Sequence, residues 1–230
     1  MKRFILYLAC SASLIQTGLA QKAGTWHSYL AYVNTTAVAE GNTLVYALAD
    51  GSLYSYDKED NSLRYYAKET GLSDNQMNAI GFNSEENTLV AAYTNGNIDL
   101  IGENAGVYNL PFLLNSTHIQ DKTIHSMYHA KEMSYLSAAF GILALNVKKK
   151  EIKETYRLNR PVTAVCILGD DIYALSSPTL LKASLSDNLI DPAAWQEFPI
   201  AGTAGQGKDT VLQVCVFQNA LCFLLQNKGV

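Results

Sequence analysis

Apolar and polar positions alternate in short blocks from residue 36 onward. Residues 43–54 read as a strand, a tight Asp50-Gly51 turn and a second strand. The pattern returns at 88–99 around Asn95-Gly96, and again at 135–145 around Gly141. The turn glycines Gly51, Gly96 and Gly141 are 45 residues apart. Asp-Gly and Asn-Gly favour two-residue hairpins because glycine accepts the positive φ such turns require. A fourth copy turns at Ser177-Pro178 before Leu180 and Leu181, and a fifth begins at Ala220 and reaches Gly229. A further short strand is predicted before each hairpin, at residues 36–39, 77–82, 124–128, 162–168 and 211–217. A more polar strand follows each complete hairpin, as at 62–66 and 152–156. Four strands per unit, recurring every 40 to 50 residues or so, are the mark of a β-propeller blade. The expected fold is therefore all-β: four-stranded antiparallel blades, about four and a half of them, with no segment of helical period. Propellers close with 4 to 8 blades, so the chain reads as the N-terminal part of a longer propeller, with residues 26–30 as a candidate strand of its closing blade.

Composition agrees. Of 230 residues 48% are hydrophobic and 17% charged, which suits a packed core, and 14 tyrosines suit pleated, half-buried surfaces. The formal charge of −4 excludes the clustered basic face that nucleic-acid binding needs.

The N-terminus departs from the repeat. Lys2-Arg3 precede an apolar run from Phe4 to Ala9, and Gly18-Leu19-Ala20 ends in small residues at the −3 and −1 positions of a cleavage site. Residues 1–20 are thus predicted to be a secretory signal, leaving 21–230 as propeller blades. Without Lys2 and Arg3 the mature chain carries 15 basic against 21 acidic residues, a net −6. Ser11, Ser13, Gln16 and Thr17 interrupt the run too often for a membrane span, and no other segment approaches that length. Leu8-Ala9-Cys10 partly matches a lipobox, but Tyr7 stands where an aliphatic residue is wanted, which favours cleavage after Ala20.

Candidate chemistry is sparse. Cys166, Cys215 and Cys222 have no metal spacing. Cys166 and Cys215 occupy equivalent positions of two similar strands, which favours free core thiols over a disulfide. His125 and His129 would share a strand face, yet no carboxylate or cysteine motif completes a metal site. Asp57, Glu59, Asp60 and Asn61 lack the alternation of a calcium loop and read as a solvated turn. Lys148-Lys149-Lys150 read as a turn between strands. No nucleophile elbow or phosphate-cradling loop occurs, so no catalytic residue, metal or cofactor is assigned. The remaining candidates are two irregular loops, Pro111 to Asn115 and residues 201–207. Phe112, Leu113 and Leu114 of the first would expose an apolar patch suited to a protein partner.

Gly71-Leu72-Ser73-Asp74-Asn75-Gln76-Met77, between the first two blades, resembles the linker of propeller repeats in Bacteroidetes sensory two-component regulators. Asp74 there reads as turn chemistry, its carboxylate bonding nearby backbone N–H groups. With Gly24-Thr25-Trp26-His27-Ser28-Tyr29 and residues 93–101, the stretch from about 24 to 110 resembles the N-terminal propeller of the PorZ family, accessory proteins of the type IX secretion system. That resemblance implies a non-enzymatic protein, exported to the outer membrane and cell surface, that works with a PorU-like sortase in attaching secreted cargo. It implies lipopolysaccharide contact only through regions outside this sequence, so no binding residue is carried over. The alternative it leaves is the periplasmic, ligand-sensing propeller of a hybrid two-component regulator. A transmembrane segment and kinase motifs further along the gene would mark the sensor.

Overall fold

The structure is a computed structural model that describes residues 30–103, 106–200 and 210–226. The proposed signal peptide, Cys10, residues 26–29 of the closing strand and the loop 201–207 lie outside the described residues.

The described strands form successive antiparallel sheets, each ordered as in the sequence. Blade 1 holds β1 (Thr35–Glu40), β2 (Leu44–Ala49), β3 (Ser52–Asp57) and β4 (Leu63–Tyr66). Blade 2 holds β5 (Met77–Asn83), β6 (Thr88–Tyr93), β7 (Ile98–Gly102) and β8 (Gly106–Leu110). Blade 3 follows with β9 (Ile124–Ala130), β10 (Met133–Ala138), β11 (Gly141–Asn146) and β12 (Glu151–Arg157). Blade 4 consists of β13 (Ala164–Leu168), β14 (Asp171–Ser176), β15 (Thr179–Ser184) and β16 (Gln196–Phe198). A fifth sheet has two described strands, β17 (Val211–Phe217) and β18 (Ala220–Leu225). Two short 3-10 turns are the helical elements described, and no helix among the described residues is long and apolar enough to cross a membrane.

The second strand of each blade shows why the sequence reads as continuous apolar runs. Side chains alternate faces along a strand. In β6, Leu89, Ala91 and Tyr93 enter the core shared with blade 1, while Val90 and Ala92 enter the core shared with blade 3. In β14, Ile172 and Ala174 face blade 3, and Tyr173 and Leu175 face the fifth sheet. Each apolar core therefore lies between two neighbouring blades. Both faces of the middle strands are dry, which produces apolar runs in place of strict alternation.

The innermost strands contact one another along the series β1, β5, β9, β13 and β17. Four of them carry a register shift near their start, leaving one extra residue: Thr36, Asn78, His125 and Leu212. Such bulges bend a strand and re-aim side chains. Asn78 uses this: its Nδ2 donates to the Ile124 carbonyl at the start of the next blade. At the other end of β5, Asn83 Nδ2 donates to the Lys131 carbonyl at 2.9 Å.

Candidate functional site

The linker between blades 1 and 2 shows how the loops are held. Gly71 ends a short turn at φ 110°, and buried Leu72 enters the core shared by blades 1 and 2. The Ser73 N–H donates to Asp99 Oδ2 at 2.9 Å. Asp99 is fully buried, and also accepts from the Tyr93 hydroxyl at 2.6 Å and from Asn109 Nδ2 at 2.9 Å. Burial, together with the hydrogen bond to Asp99, pushes the Tyr93 phenol well above its ordinary range. Asp74 accepts from the Asn75 N–H at 2.9 Å, bonds the Asn95 side chain and pairs with Lys68 at 3.3 Å. It is turn chemistry, as its place in the linker suggests.

The next linker, residues 111–123, holds the expected partner-binding loop, and the structure divides its three residues. Phe112 is 51% exposed and Leu114 is half-buried, but Leu113 is fully buried. The expectation of a three-residue exposed patch is corrected at Leu113. Its side chain joins Leu110 and Ile119 in the core between blades 2 and 3, where it anchors the loop. The loop is also tied by hydrogen bonds from Asn115 N–H to the Pro111 carbonyl (2.9 Å) and from Lys122 Nζ to the Leu114 carbonyl (2.6 Å). Phe112 is thus an exposed ring on a fixed support, a suitable anchor for a protein contact.

The same linker borders a groove of about 200 Å³ that sequence reasoning missed. His118, Gln120, Asp121, Phe140, Arg157 and Asn159 line it. Hydrogen bonds from the Thr123 hydroxyl and N–H hold the Asp121 carboxyl below its usual range. Arg157 has no ion-pair partner among the described residues. Arg157 closes a strand and Phe140 sits in a hairpin turn, so only their blade positions could have signalled that they converge. Donors and acceptors beside an aromatic ring suit contact with a polar surface.

The remaining candidates have structural roles. His125 is exposed at its bulge, while His129 lies between blades, its Nδ1 2.7 Å from Ser134 Oγ. The bulge interrupts the alternation that their even spacing assumed. Burial lowers the His129 pKa to about 4, and its Nε2 is buried without a partner. No group of three or more His, Cys, Asp or Glu that could hold a metal exists among the described residues. Asp57 and Asp60 accept from the Glu59 and Ser62 N–H groups, each at 2.8 Å, in a solvated turn. Lys150 sits over the Tyr108 ring at 5.0 Å. All three described cysteines are free, and burial pushes the Cys166 thiol up to about 12. Cys215 lies opposite Cys222 in the fifth sheet. Its face of β17 points away from blade 4.

Against known protein families, residues 45–196 match the family described as TSS9, PorZ, N-terminal beta-propeller domain. The chain belongs to this family. The PorZ of Porphyromonas gingivalis, described as an essential bacterial surface component of the type-IX secretion system, is 31% identical, with a TM-score of 0.80. The match covers 88% of this chain and 27% of that PorZ chain, so the sequence spans about a quarter of its relative's length. The extracellular domain of the hybrid two-component system BT4673 from B. thetaiotaomicron is 14% identical with a TM-score of 0.65, covering 83% of this chain and 26% of that one. The RRP9 WD40 repeats are 11% identical at a TM-score of 0.57, covering 81% and 57%. These two likenesses concern the propeller fold alone. Among curated protein sequences none matches. Within the PorZ family the match takes in blades 2 and 3 whole, together with the interblade cores that seat Leu113 and Asp99.

Proposed function

We propose that the chain is the N-terminal propeller of an exported, non-enzymatic scaffold of the type IX secretion system, acting at the outer membrane and cell surface. Its role is to support a PorU-like sortase as secreted cargo is attached there, with lipopolysaccharide contacted by other regions of the protein. The observation that carries this reading is the PorZ-family match over residues 45–196 together with 31% identity to a surface component of that system. Residues 1–20 serve as the signal peptide, and Phe112 with Leu114 forms part of the partner-facing surface, anchored through Leu113.

Deletion of the gene in its native host tests the reading. The expected result is that cargo is no longer displayed on the surface and that the intact gene restores display. Normal cargo display in the deletion strain, with loss of a glycan-dependent transcriptional response, would transfer the function to the sensor class. N-terminal sequencing of the exported protein is expected to begin at Gln21.

A further inference from the structure

The fifth sheet is a hairpin whose turn fixes its register. Gln218 and Asn219 both take positive φ, 47° and 61°, the form of two-residue turn that suits the twist of antiparallel strands. Phe217 and Ala220 flank the turn, Val216 pairs with Leu221, and Cys215 pairs with Cys222. Directly opposed residues project from the same face of a sheet, so the two thiols stand side by side. The alternate residues Val214, Val216, Leu221 and Phe223 pack into the core shared with blade 4. The cysteines therefore occupy the opposite face.

Counting from the turn decides their spacing. A two-residue turn is closed by a hydrogen-bonded pair, here Phe217 and Ala220, and such pairs alternate along the ladder. Cys215 and Cys222 are the next one, which places their α-carbons about 5.5 Å apart. Disulfides span α-carbon separations of about 4.4–6.8 Å. The β-carbons, roughly 5 Å apart, must draw together by about 1 Å to reach bonding distance. A bond can therefore form, but it retains strain, and strained disulfides are readily reduced.

Cys166, the third described cysteine, is a poor rival. It is fully buried in the core between blade 4 and the fifth sheet. Burial first, and neighbouring Cys215 second, push its thiol up to about 12, so it supplies little of the thiolate that attacks disulfides. The backbone of β17 stands between it and the face that carries Cys215 and Cys222. We propose that Cys215 and Cys222 form a reversible cross-strand disulfide, a modification site that staples the β17–β18 hairpin. The oxidant is a small-molecule disulfide. The thiolate of one cysteine attacks it, forming a mixed disulfide and releasing one thiolate. The other cysteine attacks the mixed disulfide, closing the Cys215–Cys222 bond and releasing the second thiolate. The two thiol protons pass to the released thiolates; the protein dithiol loses two electrons and the external disulfide gains them. The inference goes beyond the secretion reading and is tested without it.

Trypsin places both cysteines in one peptide, residues 209–228, and Cys166 in another, residues 158–182. The full-length exported protein is reduced, freed of reductant, exposed to oxidised glutathione, and unfolded in iodoacetamide before digestion and mass spectrometry. The 209–228 peptide is expected to carry no alkyl group and to be two hydrogens lighter than the dithiol, while the Cys166 peptide is alkylated. Dithiothreitol added to the folded protein is expected to restore both alkylatable thiols. Cys222→Ser is expected to stop at the mixed disulfide on Cys215, and Cys166→Ser to leave closure unchanged. Two alkylated thiols in 209–228 after oxidised glutathione, glutathione held on both cysteines, or a cross-link to 158–182 overturns the proposal. So does a bond that resists dithiothreitol until the chain unfolds.

Discussion

Replacing Gly141 with alanine should destabilise the chain far more than an ordinary turn substitution. Gly141 opens β11 at φ 138°, a region that L side chains rarely adopt. Holding a non-glycine residue in such a conformation costs about 1–3 kcal/mol. The larger difficulty is space. A Cβ added here would stand 2.1 Å from the Tyr156 carbonyl oxygen and 2.9 Å from the Leu158 nitrogen, both backbone atoms. Relief requires moving the end of β12, which breaks the Gly141–Arg157 pairing and the 3.2 Å bond from the Leu158 N–H to the Phe140 carbonyl. Overpacking of this kind adds about 1–3 kcal/mol. The two together give about 4 kcal/mol, with a range of about 2–6. Gly169 is the control, because it also has positive φ (62°) but nothing lies within 4 Å of an added Cβ. Gly169→Ala should therefore lose only the conformational part, about 1–2 kcal/mol. Urea unfolding followed by tyrosine and tryptophan fluorescence, with circular dichroism as a second probe, measures both. If Gly141→Ala loses no more than Gly169→Ala, the argument from the Tyr156 carbonyl is wrong.

Other expectations follow from the same geometry. Leu113→Ala should lower stability by about 2–5 kcal/mol through the cavity left in the core. Phe112→Ser should change stability by no more than about 0.5 kcal/mol and weaken capture of a partner protein; unfolding curves and pull-downs read the two effects apart. Asp99→Ala should cost about 3 kcal/mol or more, since the Tyr93 hydroxyl, Ser73 N–H and Asn109 amide lose their acceptor together; chemical denaturation checks it. His129 is held neutral by burial, with its folded pKa lowered to about 4 from an ordinary 6.5. The unfolded chain then binds the extra proton, so stability is fully present above pH 6.5 and falls as pH drops toward 4, by about 3 kcal/mol in all. His129→Gln should flatten that part of a stability-against-pH curve.

Local chemistry and period were visible in the sequence, and contacts between blades were not. The strand predicted at 211–217 coincides with β17, and those predicted at 77–82 and 36–39 fall within one residue of β5 and β1 at each end. Turn glycines and continuous apolar runs are short-range signals, and each unit repeats them. The strand predicted at 162–168 begins two residues early. Val162 and Thr163 are tied into the neighbouring strands, but their N–H groups bond the Ala138 and Leu175 carbonyls ahead of the ladder. Leu113 reads like its neighbours Phe112 and Leu114, and only the closeness of Leu110, Ile119 and the Gly96 turn decides which of the three goes inside. His125 leaves the face it would share with His129 for a related reason. One extra residue in β9 changes which way a side chain points, and nothing in the local alternation announces it. The groove around Arg157 collects residues from the linker at 118–121, the hairpin turn at 139–140 and the end of β12, so it could not be read along one short stretch of chain.

Placing every apolar core between two blades has a consequence for how the chain is made. Most pairings within a blade join residues close in sequence, so each sheet can assemble soon after its last strand emerges. Its outward face stays raw until the following blade arrives and covers it. A chain appearing N-terminus first therefore carries one advancing sticky front, which is handed from blade to blade. The rate of emergence, and any chaperone that shields a single sheet face, would govern its yield more than the stability of any one blade.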